Sequence, residues 1–367
     1  MSNTANFSRD SMHIALCSDS NYVMPMGVTM ISICENNRDV KIVFHLVITD
    51  EGENNEERKR KLSPLQEIAD KYQKVINFYR IGKSQLVAFK CTGVNYISTT
   101  AFARIFLPEI LSVEIHRVIY MDCDIAVDGS LLPLWQTEML EDCPLGAVID
   151  ANSQLCEYRL KIPKGISYYN SGILLMNLDV WRKESLIRKM VDCATAYTYP
   201  LLDQDVINVV LQGRIHSLPV TYNFQLLFYF NGPEVWYVTA DIKEEIRKTL
   251  EKPVVIHYLS PNKPWCDEYC PHREVWERYS DLSPWRGLPK RPVSTLLQRS
   301  RVYQPLVDAW WSDQALVKEF LPVFIELINA SVRLKNKRLF VNIATKPMKW
   351  MTWILRKAYA WKTRNRK

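Results

Sequence analysis

The sequence predicts an α/β fold with a mainly parallel central sheet. Near-continuous apolar, β-branched runs of strand length recur along the first 285 residues, and segments with helical patterns fall between them. Strands covered on both faces by crossover helices give this alternation.

In chain order, the first strand is expected at His13–Ser18 and a helix at Tyr22–Glu35. A strand at Lys41–Ile48 precedes a helix at Asn54–Tyr72, and a third strand, Val75–Tyr79, follows. After a helix over Thr100–Leu111 come strands at Val118–Met121, Leu145–Ile149 and Gly172–Leu178. Helices over Val180–Tyr197 and Asp203–Leu211 lead to a last strand at Val254–Leu259. Ligands in such sheets bind outside the carboxyl ends of the strands, so the residues that end each run matter most.

Beyond residue 285 the chain changes character. Ser283–Val293 carries three prolines and a glycine, the composition of a boundary. Residues 286–367 hold 18 Lys and Arg against 4 Asp and Glu, which leaves 29 of the 47 basic and 36 of the 40 acidic residues to the first 285. A mildly acidic body with a strongly basic tail implies two jobs in one chain. The expected division is a catalytic domain over 1–285 and a basic, aromatic-rich helical tail over 286–367. The tail interleaves its cations with Trp350, Trp353, Tyr359 and Trp361. Such stretches suit an anionic bilayer surface, where aromatics sit at headgroup level and cations meet acidic lipids.

Several function classes fall away. No basic region followed by an apolar core opens the chain, so no secretory signal is expected. The longest uncharged stretch, Ile215–Pro233, contains His216, Asn223, Gln225 and Asn231 and makes a poor membrane span. A soluble or peripheral protein is expected. Neither a GxGxxG nor a P-loop sequence is present, and no nucleic-acid module accompanies the basic tail. Nine cysteines without a framework of spacings read as free thiols in a reducing compartment. Cys266, Cys270 and His272 lack a nearby fourth ligand, which argues against zinc.

The chemistry gathers at two points. Val118–Met121 runs into Asp122-Cys123-Asp124. Residues two apart in an extended chain point the same way, so both carboxylates can converge on one cation. His257 ends another apolar strand, with Lys263 six residues on. Oxygen ligands with one imidazole favour manganese over calcium or magnesium, and the lysine can meet a phosphate as a point charge. An acidic turn and a hydrogen-bonded core histidine are the plainer readings of each segment alone.

These segments belong to a set of seven in consistent order: His13–Tyr22, Ser98–Glu109, Tyr120–Asp124, Leu131–Trp135, Tyr168–Asn177, Asp203–Asp205 and His257–Trp265. Together they make roughly residues 12–285 resemble the family 8 retaining glycosyltransferases, which include lipopolysaccharide glucosyl- and galactosyltransferases and, more distantly, glycogenin. The resemblance implies a Rossmann-like nucleotide-diphospho-sugar transferase fold of GT-A type, a UDP-hexose donor and an α-linked product. It implies that Cys17, Asp19 and Asn21 line the uridine and ribose site, and that Arg104 contacts the donor sugar or diphosphate. Asp122 and Asp124 with His257 would hold Mn2+ (or Mg2+) bridging the phosphates, and Lys263 would neutralise the leaving diphosphate. Asn170, Asp203 and Gln204 would surround the transferred hexose, and Asp150 would sit near the acceptor. Two positions depart from the family pattern. Ser260 stands where glycine is common in the loop approaching the phosphate, and Cys17 replaces an alanine-like residue.

Breaking a sugar–phosphate bond leaves negative charge on UDP and positive charge on the anomeric carbon. A metal and Lys263 can stabilise the first, and Asp203 or the Gln204 amide the second. Whether one of these attacks, or the acceptor enters on the leaving-group face, stays open. The expectation is a peripheral enzyme on the cytoplasmic face of the cell membrane, extending a lipid-linked saccharide such as a lipopolysaccharide core with glucose or galactose. One alternative keeps the chemistry on a capsular, protein-linked or storage glycan. Another is a non-catalytic sugar-nucleotide-binding, membrane-associated protein, against which Asp122, Asp124, His257 and Lys263 all stand intact.

Overall fold

The first apolar run forms strand β1 (Met12–Ser18) and passes through a 3-10 turn into helix α1 (Val23–Asn36). The computed structural model of the chain describes residues 11–50, 54–82, 86, 99–230, 237–259, 263–266 and 270–287. Helix α1 tolerates Pro25 in its first turn, where a backbone N–H has no helical partner, and it is buried from Pro25 through Cys34. Its few polar groups are satisfied across the interface. Thr29 Oγ1 donates to the carbonyls of Cys123 and Ile125, and Ser32 Oγ accepts the Val127 N–H. At Gly27 an added Cβ would stand 2.3 Å from Trp285 Cζ3, so only glycine lets that tryptophan seat on α1.

Strand β2 (Ile42–Asp50) is followed by α2 (Asn55–Lys71), whose first turn is capped by the Asn54 side chain accepting the Glu57 N–H at 2.8 Å. Leu62, Leu65, Ile68 and Ala69 form its buried face. Strand β3 (Val75–Gly82) closes this half. Then come β4 (Arg117–Met121), the short β5 (Ile125–Val127), β6 (Leu145–Ile149), α3 (Ser153–Leu160) and β7 (Tyr169–Asn177). Helices α4 (Leu178–Lys183), α5 (Leu186–Ala196) and α6 (Leu202–Val210) precede β8 (Ile215–Ser217) and β9 (Phe224–Gln225). The last described elements are α7 (Ala240–Thr249), β10 (Val255–His257) and α8 (Arg273–Ser280).

The main sheet has the order β3-β2-β1-β4-β7-β6-β8, and a small second sheet has the order β5-β10-β9. Strands β3, β2, β1 and β4 run parallel, as the continuous apolar runs predict. Strand β7 runs antiparallel to both β4 and β6. That reversal brings the start of β7 to the edge where β1 and β4 end. Ala15, Cys17, Val47, Val118, Tyr120, Leu174 and Met176 pack in one core with residues of α5 and α6.

Two expected helices are interrupted. Over Thr100–Leu111 the chain forms a 3-10 segment, Thr99–Phe106, and then one α-helical turn, Leu107–Ile110. Pro108 has no N–H to give the carbonyl four residues back, so a single continuous helix loses a bond there. The Val180–Tyr197 pattern breaks at Ser185, which takes φ 53° between α4 and α5. There Glu184 is drawn into a bidentate pair with Arg214 at 2.6 and 2.7 Å.

The chain divides into two units, Met1–Leu226 with Tyr237–Pro292, and Leu227–Trp236 with Val293–Lys367. Of the second, residues 227–230 are described, as a single helical turn. The basic tail beyond residue 287 lies outside the described residues. Among the described residues no helix is long and apolar enough to cross a membrane.

Candidate active site

Sheet register assembles the site. Met121 pairs with Ile173, so the chain leaving β4 meets the start of β7, and the Asp122 N–H donates to Gly172 O at 2.9 Å. Strand β5 begins directly after Asp124 and pairs antiparallel with β10, setting His257 opposite Ile125. The Tyr258 N–H donates to Asp124 O at 2.9 Å. His257 Nε2 thereby comes to 3.6 Å from Asp122 Oδ2 and 3.4 Å from Asp124 Oδ1. Cys123 is buried, with its thiol toward Cys17 O.

Each carboxylate has one oxygen committed and one turned to the imidazole. Asp122 Oδ1 accepts from Tyr120 Oη at 2.5 Å and lies 3.0 Å from an Arg104 nitrogen. Asp124 Oδ2 is held by the Lys263 ammonium, which also donates to Tyr258 O. The remaining donors are Asp122 Oδ2, Asp124 Oδ1 and His257 Nε2. One ligand atom from each residue falls within 4.8 Å of the others. Two donors each about 2.1 Å from one ion stand roughly 3.0–3.5 Å apart, so these atoms need only small shifts to share a cation. Two carboxylate oxygens and one imidazole nitrogen fit a divalent first-row ion such as Mn2+. Burial alone would raise the Asp124 carboxyl, but the Lys263 ammonium, the largest opposing influence, helps hold it below its ordinary range. It is an anion ready for a metal.

Arg104, from the 3-10 segment, is the electrostatic hub next to this cluster. Its Nη1 donates to Ser171 O at 2.6 Å and its Nε to Ala101 O at 2.8 Å, with Nε also 3.2 Å from Asp203 Oδ2. The guanidinium lies over the Tyr120 ring, 4.4 Å from the centroid. Burial pushes the Asp203 carboxyl up to about 6, with Arg104 opposing the rise and Asp122 adding to it. Cys17 lines the end of β1 as an inert thiol, since burial raises it to about 12.

A second polar cluster lies at the start of β7 and α6. Asp150 accepts the Asn152 N–H on Oδ1 at 2.8 Å, and amide N–H groups of Asn170 and Gln204 on Oδ2, both at 3.1 Å. Burial raises the Asp150 carboxyl, and these bonds oppose it. Gln204 Oε1 accepts the Ser171 N–H at 3.0 Å, and its Nε2 also reaches Tyr168 Oη at 3.0 Å. Tyr168 donates to Asp205 Oδ1 at 2.6 Å, and Asp205 takes a bidentate pair from Arg159 at 2.7 and 2.9 Å.

The sequence-derived residues therefore fall into three places. Asp122, Asp124, His257, Lys263, Arg104 and Asp203 form one connected group; Asp150, Asn170 and Gln204 form a second. Cys17 is the penultimate residue of β1 and Asp19 follows the strand. Ser260 and the side chain of Asn21 lie outside the described residues. Sequence reasoning missed Tyr120, Ser171, Asn223 and the Arg159–Asp205 pair. The signal for Asn223 was present, as an amide within an uncharged stretch, and it is fully buried. Cys266 Sγ points to Lys263 O at 3.5 Å, and Cys270 is buried. The metal-capable cluster among the described residues is the Asp122–Asp124–His257 group.

A mainly parallel sheet ending in paired carboxylates, with an imidazole set beside them by a second small sheet, is the arrangement of a GT-A-type glycosyltransferase. The profile of Glycosyl transferase family 8 matches residues 13–268, and the chain belongs to that family. It is similar to the lipopolysaccharide 1,2-glucosyltransferase of Escherichia coli, 28% identical over 313 residues that span 82% of this chain and 86% of that protein. The lipopolysaccharide 1,3-galactosyltransferase of Salmonella typhimurium is 26% identical over 265 residues, 70% of this chain and 73% of that protein. Among solved structures, the galactosyltransferase LgtC in complex with donor and acceptor sugar analogs superposes with a TM-score of 0.63. It is 26% identical, with 74% of this chain and 96% of that chain covered.

Proposed function

We propose that the chain is a retaining hexosyltransferase that moves glucose or galactose from a UDP-sugar to a saccharide of lipopolysaccharide or another surface glycan, forming an α-linkage with Mn2+ or Mg2+. The carrying observation is the convergence of Asp122 Oδ2, Asp124 Oδ1 and His257 Nε2, with the Lys263 ammonium beside them. Relatives named as lipopolysaccharide glucosyl- and galactosyltransferases support the substrate class.

A divalent ion held by Asp122, Asp124 and His257 would supply positive charge for a departing diphosphate. Lys263 exchanges Asp124 for a phosphate oxygen and adds a second charge on the leaving side. Arg104 orients Asp122 and Asp203 through its short contacts. Gln204 reads as a positioning residue, because its amide oxygen already accepts the Ser171 N–H and its amide nitrogen already serves Asp150. The Ser171 bond takes one of the two lone pairs of that oxygen and fixes its direction. That favours approach of the acceptor hydroxyl on the leaving-group face.

The test is transfer and hydrolysis of a panel of UDP-hexoses with and without Mn2+, with the product anomer read by NMR. A β-linked product from an α-linked donor, or equal rates without metal, would defeat this reading. For residues 286–367 we propose attachment to anionic lipid at the cytoplasmic face of the membrane. A chain ending at Gly287, which keeps Trp285 on α1, should no longer sediment with phosphatidylglycerol vesicles.

A further inference from the structure

The hydrogen bonds behind the His257 imidazole can be oriented from one donor that has no alternative. The Gly172 backbone N–H donates to Asn170 Oδ1 at 2.9 Å, so that atom is the amide oxygen. Asn170 Nδ2 then turns to Asp150 Oδ2, an acceptor, at 3.1 Å. The atom of Asn223 that lies 2.9 Å from Asn170 Oδ1 must be a donor, which makes it Nδ2. Its partner Oδ1 therefore faces His257 Nδ1 at 2.9 Å, and Nδ1 must carry the proton. The neutral ring keeps its lone pair on Nε2, the atom 3.4 and 3.6 Å from the two carboxylates.

We propose that Asn223 is a positioning residue that holds His257 as the Nδ1–H tautomer, so that Nε2 is a metal ligand before any metal arrives. This rests on reading Asp122, Asp124 and His257 as a metal site. A neutral imidazole in water prefers the proton on Nε2, which would turn an N–H toward the cation; the bond made by the opposite nitrogen decides the form. Asn223 is 0% exposed, so bulk water does not compete with it for Nδ1. Its placement follows from β9 pairing with β10, where Gln225 stands opposite His257 and Asn223 just precedes the strand. The Asn170 link makes the assignment one-way. A flipped Asn223 would set two carbonyl oxygens against each other.

The protein has six histidines, few enough to resolve by 15N NMR of histidine-labelled, metal-free protein, with His257 identified by its loss in His257→Gln. The wild type should show His257 as Nδ1–H at mildly alkaline pH. Asn223→Leu, of similar volume, should shift it toward Nε2–H and raise the Mn2+ dissociation constant about ten- to a hundredfold. Asn223→Asp keeps an acceptor facing Nδ1, though its second oxygen meets Asn170 Oδ1, and should retain the Nδ1–H tautomer that Asn223→Leu loses. A wild-type His257 found as Nε2–H in protein that binds Mn2+ overturns this assignment alone. So does a folded Asn223→Leu with unchanged Mn2+ affinity. A wild type that binds no Mn2+ overturns the metal reading itself and this role with it. If Asn223→Leu does not fold, the wild-type tautomer still decides.

Discussion

Gly172 and His257 are packed so closely that a Cβ on Gly172 would fall 2.1 Å from Cε1 and 2.5 Å from Nδ1 of the imidazole. Neither side can yield easily, because Gly172 sits in a buried strand and the ring is a rigid group held at Nδ1 by Asn223. Gly172→Ala should therefore displace the ring from the carboxylates. Overpacking of this kind costs about 1–3 kcal/mol, and Mn2+ affinity should fall by about tenfold or more. Urea unfolding and Mn2+ titration on the same sample would check both, and wild-type values in each would rule the close approach out as a constraint.

Arg104 stands between two carboxylates, and its removal should be felt by both. In Arg104→Met, Asp122 loses a 3.0 Å partner and the buried Asp203 loses one at 3.2 Å. Removing one partner of a buried pair destabilises by about 3–5 kcal/mol. Added Mn2+ should recover part of this loss, since a cation bound by Asp122 replaces some of the missing charge. Denaturation curves with and without metal would read it. Arg104→Lys should retain more stability but lose activity, because one ammonium cannot reproduce the planar fork that meets Ser171 and both acids.

The alternation of apolar runs and helical patterns was enough to read the parallel half of the sheet, and the Asp-x-Asp and His257 segments pointed to the residues that converge in the metal-capable cluster. The reversal of β7 was not legible, because a strand buried on both faces looks the same whichever way it runs. That reversal delivers Asn170, Ser171 and Gly172 to the site. The hydrogen-bond partners were equally hidden. Asn223 and Tyr120 act through atoms whose orientation depends on neighbours distant in sequence. The break at Ser185 was missed because Val180–Tyr197 keeps one apolar spacing through it, while the Glu184–Arg214 pair that goes with the turn joins two separate elements.

Asp124 offers the sharpest test of the metal cluster. Its Oδ1 faces His257 and its Oδ2 holds Lys263, so Asp124→Asn weakens one ligand and one ion pair at once. Loss of several kcal/mol of charge stabilisation on the leaving diphosphate corresponds to a fall of at least about a hundredfold in transfer rate. The fold should stand, since the backbone bond from the Tyr258 N–H to Asp124 O does not involve the side chain. Rate assays with circular dichroism on the same protein would decide, and near-wild-type turnover would remove Asp124 from the proposed chemistry.

Away from the site, β2 carries a histidine that should make the fold acid-sensitive. His45 is buried, with Nε2 2.9 Å from His13 Nδ1 and Nδ1 3.0 Å from Tyr79 Oη. Burial first, and the neighbouring His13 second, lower its pKa from 6.5 to about 4. Above 6.5 the ring is neutral in both folded and unfolded chains, and its titration does not bear on stability. As pH falls from 6.5 toward 4, the unfolded chain takes up a proton that folded His45 refuses, so stability declines across that window and the loss levels off below it. By pH 5 the decline attributable to this one group is about 2 kcal/mol. Replacing it with a non-titrating residue that can still bond to His13 and Tyr79, as in His45→Gln, should flatten the response. Urea unfolding at pH 7.5 and pH 5 would measure the difference in slope between the two proteins. Parallel slopes would mean that His45 accepts its proton in the folded state as readily as in the unfolded one.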